Sequence, residues 1–166
     1  MVSQAAFDLD AYFPYLINRV GAALVATFGK DPLGHHRLNI AMWRALAALS
    51  RNGDLRLVDL ADVTSIDVST LSRMVTRLMR LELVSRNRSK TSEREVLVKL
   101  TPKGRRLLDR LIPVALRFEE ALTEGISPAD LAAVNRVLHQ MHANMMRFPS
   151  ALSQNGKRKA AQASFI

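Results

Sequence analysis

The sequence predicts a mainly α domain that carries one small β-sheet. Apolar residues recur at helical spacing through most of the chain, and one short region alternates apolar and polar residues instead. Helix start and stop signals fall between these segments. The 166 residues suit one domain, or one domain with helical arms. A hydrophobic fraction of 48% is enough to build a core.

Residues 1–12 read as a flexible N-terminal arm. Pro14 suits the first turn of a helix, where a missing N–H costs nothing. Leu16, Val20, Leu24 and Phe28 mark the apolar stripe of that helix, and the run from Gly29 to Gly34 breaks it. Asn39 is placed to cap a second helix through Trp43, Leu46 and Leu49, which the turn Asn52-Gly53-Asp54 ends. A short helix over about 57–63 follows, then a tight connection from Thr64 to Asp67. A helix of roughly fifteen residues begins at Val68, capped by Asp67 or Ser69.

Residues 84–88 and 96–100 read as two strands, with a polar hairpin tip between them. Thr101-Pro102 combines a capping hydroxyl with proline at the first helical position. That helix should run to about Glu124, kinked at Pro113. Ser127 and Asp130 have the spacing of a capping box. The last helix carries Leu131, Val134, Leu138, Met141 and Met145 and should stop before Pro149. The end of the chain, 149–166, reads as a basic disordered tail.

The net charge is +9, which points to a polyanionic partner, and its position narrows the choice. On the helix that starts at Val68, a step of 100° per residue gathers Arg73, Thr76, Arg77 and Arg80 around Ser69. Leu71, Met74, Val75 and Leu78 take the other side. Glu82 is the only acid from Val68 to Leu83, whereas a solvated helix usually mixes acids with bases. Arginine can bond guanine O6 and N7 together, and hydroxyls near a helix N-terminus suit phosphate. From Arg73 to Arg94 there are seven basic residues against two acids, a net of +5. A basic hairpin directly after such a helix can reach the flanking DNA backbone or minor groove.

Other classes fit less well. With no cysteine there is no disulfide, thiolate or thiol-redox chemistry. No Gly-rich phosphate loop, nucleophile elbow or carboxylate cluster suggests an enzyme, and we expect no cofactor. His139 and His142 share a helix face but lack further ligands, so no metal is expected. No apolar run is long enough to span a membrane, and the N-terminus is not a secretory signal. The basic tail lacks the apolar face that membrane binding needs. The expectation is a cytoplasmic protein.

These segments resemble the MarR (multiple antibiotic resistance regulator) family of winged helix-turn-helix proteins. The likeness rests on Leu57-Val58-Asp59-Leu60-Ala61, on the run from Asp67 to Val75 with Arg77-Leu78, on Leu83-Val84-Ser85-Arg86, and on the stretch from Arg94 to Gly104. It spans roughly residues 14–147, and Trp43 falls where the family often has an aromatic. Two positions depart: Ser92 stands where the family usually has the wing aspartate, and Glu82 where it often has glycine.

The resemblance implies a winged helix-turn-helix with a two-stranded β-wing, flanked by N- and C-terminal dimerisation helices. Its divisions would be 13–38 for the first dimerisation helix and loop, 39–100 for the DNA-binding domain, and 101–148 for the C-terminal dimerisation helices. The homodimer would place two recognition helices in successive major grooves of a pseudo-palindromic operator on double-stranded DNA. The DNA contacts expected from the helix and wing together are Ser69, Thr70, Arg73, Thr76, Arg77, Arg80, Arg86, Arg88, Lys90 and Arg94. The implied role is a repressor released by a small aromatic or phenolic ligand. Arg19, His35, His36 and Trp43, with Arg44 beside them, are the ligand-binding candidates. The alternatives are a winged-helix interaction module and a regulator without an inducer.

Overall fold

The computed structural model describes residues 7–88 and 96–147. It divides into two units, the first ending at Glu119. In the first, α1 (Phe13–Phe28) is followed by a 3-10 turn (Gly34–His36), α2 (Ile40–Asn52), β1 (Leu55–Arg56), α3 (Leu57–Thr64) and α4 (Val68–Arg80). Then come β2 (Val84–Arg88), β3 (Val96–Leu100) and α5 (Pro102–Leu122). The last residues of α5 belong to the second unit, which also holds α6 (Pro128–Arg147).

The local signals produced the expected elements. Asn39 Oδ1 accepts from Met42 N–H at 2.8 Å and Asp67 Oδ1 from Thr70 N–H at 3.0 Å, capping α2 and α4. Gly53, at φ 78°, closes α2 in a conformation that suits glycine. Both wing strands take the expected residues and pair antiparallel, with Val84 opposite Leu100 and Arg88 opposite Val96. A third strand joins them: β1 pairs Leu55 with Val98 and Arg56 with Leu97, giving the order β1-β3-β2. The two-stranded wing expected from sequence lacks β1, because two residues have no periodicity to read. Pro113 lies inside α5.

The core of the first unit forms where the three central helices meet the sheet. Met42, Leu46 and Leu49 of α2, Leu60 of α3, and Leu71, Val75 and Leu78 of α4 are buried with Val84, Val98, Leu107, Leu108 and Leu111. Among the described residues Thr64 is the one buried polar side chain, and its hydroxyl donates to Leu60 O at 2.6 Å.

Three residues other than glycine close helical segments in the left-handed region: Arg37 (φ 57°), Ser65 (φ 52°) and Glu82 (φ 60°). After each, the next N–H reaches back to the carbonyl five residues before it: Leu38 to Leu33, Ile66 to Ala61, Leu83 to Leu78. This closure satisfies helix-end carbonyls. It also ends α4 at Arg80, short of the roughly fifteen residues expected from sequence.

A clasp then ties the end of α4 to the start of α5. Thr101 Oγ1 donates to Glu82 O at 2.6 Å, Thr101 N–H to Leu83 O at 3.1 Å, and Lys103 Nζ meets Glu82 Oε2 at 2.7 Å. Gly104 lets the two segments approach, because a Cβ there would sit 2.1 Å from Leu83 O.

In the second unit, Ser127 Oγ accepts from Asp130 N–H at 3.1 Å and donates to Asp130 Oδ2 at 2.7 Å, starting α6. No residue of α6 is buried within the chain. Of the arm expected over 1–12, residues 7–12 make a turn in which Asp8 Oδ1 accepts from Asp10 and Ala11 N–H. The tail expected over 149–166 and the hairpin tip lie outside the described residues.

Gly104→Ala should destabilise the fold by about 1–3 kcal/mol or more, since the contact is with backbone that cannot step aside. Urea denaturation checks this; an unchanged midpoint would mean the clasp relaxes freely.

Candidate nucleic-acid interface

The fold turns one side of α4 inward and leaves the other in solvent. Leu71, Val75 and Leu78 are 0% exposed. Ser69, Arg73, Thr76, Arg77 and Arg80 are all exposed, as the helical wheel predicts, and so is Thr70, which the family resemblance added. The face therefore presents hydroxyls at its N-terminal end and guanidiniums along its length.

The hydroxyls and arginines are partly organised. Ser69 Oγ donates to Asp67 Oδ1 at 2.6 Å, and Arg73 Nη2 donates to Thr70 Oγ1 at 3.4 Å. Thr76 Oγ1 donates back to Ser72 O at 3.0 Å. Arg86, exposed on β2, reaches Ser72 Oγ at 3.4 Å, so the base of the wing touches the helix. Arg77 Nη2 donates to the backbone carbonyl of Arg37 at 3.2 Å, forty residues away. Arg80 has no side-chain partner among the described residues. The side chain of Arg88, and Lys90, Ser92 and Arg94 entirely, lie outside the described residues.

Two carboxylates flank this helix. The Ser69 hydroxyl, then the Thr70 N–H, holds the Asp67 carboxyl below its ordinary value. Lys103 does the same for Glu82. Both acids are thus ionised and engaged within the chain, which leaves the arginine row without an acid opposite it.

A cavity of about 440 Å³ opens between α1, α2 and α5, lined by Gly21, Leu24, Val25, Phe28, Ile40, Trp43, Arg44 and Phe118. The Phe28 ring stands edge-on to Trp43 at 5.8 Å and lies 5.3 Å from Phe118. Of the ligand candidates read from sequence, Trp43 and Arg44 line it. Arg19 is elsewhere, 3.7 Å from Asp10 and 5.7 Å over the Tyr15 ring. His35 and His36 sit in the 3-10 turn and do not line it. Sequence reasoning missed Phe28 and Phe118 as cavity walls; each looked like ordinary helix packing, and Phe118 lies far along the chain. Among the described residues no three metal-ligating side chains cluster, and no helix is long and apolar enough to cross a membrane.

The MarR family model matches residues 38–96. The chain is 31% identical over 138 residues to the HTH-type transcriptional repressor NicR of Pseudomonas putida, covering 81% of this chain and 85% of that protein. Among solved structures it resembles Bordetella bronchiseptica BpsR, whose DNA binding is regulated by 6-hydroxynicotinic acid. The TM-score is 0.75 at 28% identity, over 83% of this chain and 98% of that one. A MarR family regulator from Silicibacter pomeroyi gives a TM-score of 0.71 at 34% identity, over 82% and 92%.

The Asp67 cap has a pH signature. Its folded-state value lies below the unfolded one, so its contribution is complete above the ordinary carboxylate value of 3.8 and is lost as pH falls through the folded value. Asp67→Asn keeps an acceptor but no charge. Thermal melts between pH 3 and pH 7 should show the wild type losing part of its advantage over Asp67→Asn below about pH 4. A constant gap across that range would remove the charge from the account.

Proposed function

The chain belongs to the MarR family of transcription regulators, and on that premise we propose that it is a dimeric repressor that reads duplex DNA with α4. The exposed face of α4 carries this reading: six hydroxyl and guanidinium side chains, and no acid, on the outer side of a helix whose inner side is sealed. Arg73 and Arg80 are the base readers, with donors suited to guanine in the major groove. Ser69 and Thr70 serve bases or phosphates from the N-terminal turn of the helix, and Thr76 does so further along it. Arg86 leads the wing toward the flanking backbone, where Arg88, Lys90 and Arg94 would add charge.

The homodimer is supported by apolar side chains that stay largely exposed in the single chain. On α1 these include Ile17 and Val20; on α6 they include Val134, Met145 and Met146, the last 71% exposed. Helices so apolar on their outer faces call for a second copy. A pair of α4 helices would then meet half-sites one helical turn apart.

The cavity would hold the inducer. The rings of Phe28, Trp43 and Phe118 suit a flat aromatic group, and the Arg44 guanidinium suits a carboxylate at its edge. The likeness to BpsR supports an aromatic acid.

A salt titration on a random duplex tests DNA binding. Affinity should fall with a log–log slope of about −0.9 per neutralised phosphate, several per dimer. No measurable binding at low salt would end the proposal. Arg73→Ala on an operator selected from random duplexes should relax preference at one base pair per half-site and cost about 1–3 kcal/mol.

Trp43 is the only tryptophan, so its fluorescence reports on the cavity. Titrated 6-hydroxynicotinate or benzoate should quench it, and Arg44→Ala should weaken that response about tenfold, the loss of one charged hydrogen bond. An identical response in Arg44→Ala would remove Arg44 from the site.

A further inference from the structure

Arg77 differs from the other arginines of α4 in being tied into its own chain. Its guanidinium donates to the carbonyl of Arg37, in the turn between α1 and α2. That carbonyl belongs to a turn closed by its own backbone hydrogen bonds. Arg37 is in the left-handed region, where a side chain is unfavourable. It stays there because Leu33 at the start of the turn and Leu38 after it are buried, and because Leu38 N–H bonds Leu33 O and Arg37 N–H bonds Gly34 O. A backbone carbonyl fixed this way is an anchor for whatever donates to it.

The same turn leads directly into the cavity wall. Two residues after Arg37, Asn39 caps α2. The first five residues of α2 then supply Ile40, Trp43 and Arg44 to the cavity lining. The path from cavity to α4 is therefore short: α2's first turn, the Arg37 carbonyl, the Arg77 guanidinium. Interior packing is too dense for α2 to shift at the cavity without moving the turn that precedes it.

We propose that Arg77 is a positioning residue: through the Arg37 carbonyl it sets the pose of α4 and couples that pose to the packing around the cavity. The inference rests on the DNA-binding reading above and assigns Arg77 a role different from that of Arg73. A base reader donates its fork to one base, and a phosphate contact adds to the salt slope. A positioning residue does neither.

The test compares Arg77→Gln with Arg73→Ala on the selected operator and on its full set of single-base variants, at several salt concentrations. Arg77→Gln should weaken binding to every sequence by the same factor, about tenfold, with the salt slope unchanged. A loss confined to one base pair would make Arg77 a base reader. A slope shallower by about 0.9 per lost contact would make it a phosphate contact. Either result overturns the proposal.

Coupling to the cavity is read with a double-mutant cycle that adds Ile40→Ala. The change in DNA affinity caused by Ile40→Ala should largely vanish in the Arg77→Gln background; strict additivity would break the link. Circular dichroism showing both variants fully folded at the assay temperature guards against simple unfolding. If the wild type bound no duplex, the DNA-binding reading would fail by itself. Hydrogen exchange would then decide the tie: Arg37 and Leu38 amides should exchange faster in Arg77→Gln, and unchanged exchange there counts against it.

Discussion

Everything on the exposed side of α4 depends on how completely the inner side of that helix is sealed. Leu71, Val75 and Leu78 sit four and three residues apart, so they form one continuous stripe against the core. Rotating the helix about its axis would expose all three at once. Burying such side chains stabilises by roughly 1.5–3 kcal/mol each, enough to fix the rotation. The outward direction of Arg73 and Arg80 follows from that burial and needs no bond of their own. A guanidinium left in water loses nothing by waiting there, which is why a row of them with no acid partner is tolerated.

What could be read from the sequence was whatever is encoded locally. Caps bond a side chain to a backbone group two or three residues on, so Asn39, Asp67, Thr101 and Ser127 could be placed from spacing alone. The wing strands were legible because alternation over five residues has a clear period. The exposed face of α4 was legible for the same reason at helical period. The rest required the fold. Two residues of β1 carry no pattern and pair only because β3 lies alongside. The Arg77–Arg37 bond joins positions that only folding brings together. The cavity walls come from three helices, and Arg19, His35 and His36 drew notice for their chemistry while their positions put them outside it.

α2 holds an unusual place among the elements. Its buried face, from Met42 to Leu49, belongs to the core that seats α4. Its opposite flank, through Ile40, Trp43 and Arg44, walls the cavity. Trp43 serves on both sides, packing against the core and meeting Phe28 edge-on. Exposed ion pairs such as Lys99–Asp54 at 3.4 Å contribute little beside this packing. The Glu82–Lys103 pair differs because Thr101 and Gly104 hold the same two segments together.

The left-handed residues Arg37, Ser65 and Glu82 also bear on how this sequence can drift. Each position is defined by backbone handedness, and none of the three side chains is what the turn requires. Glycine or asparagine would enter at little cost, and at Arg37 or Ser65 glycine would relieve strain. Valine, isoleucine and threonine are closed off, because branching at Cβ is worst where φ is positive. Among descendants of this chain, those three sites should wander in charge and polarity while never crossing into β-branched residues. They record the punctuation of the fold in a form that a hydrophobicity pattern does not carry.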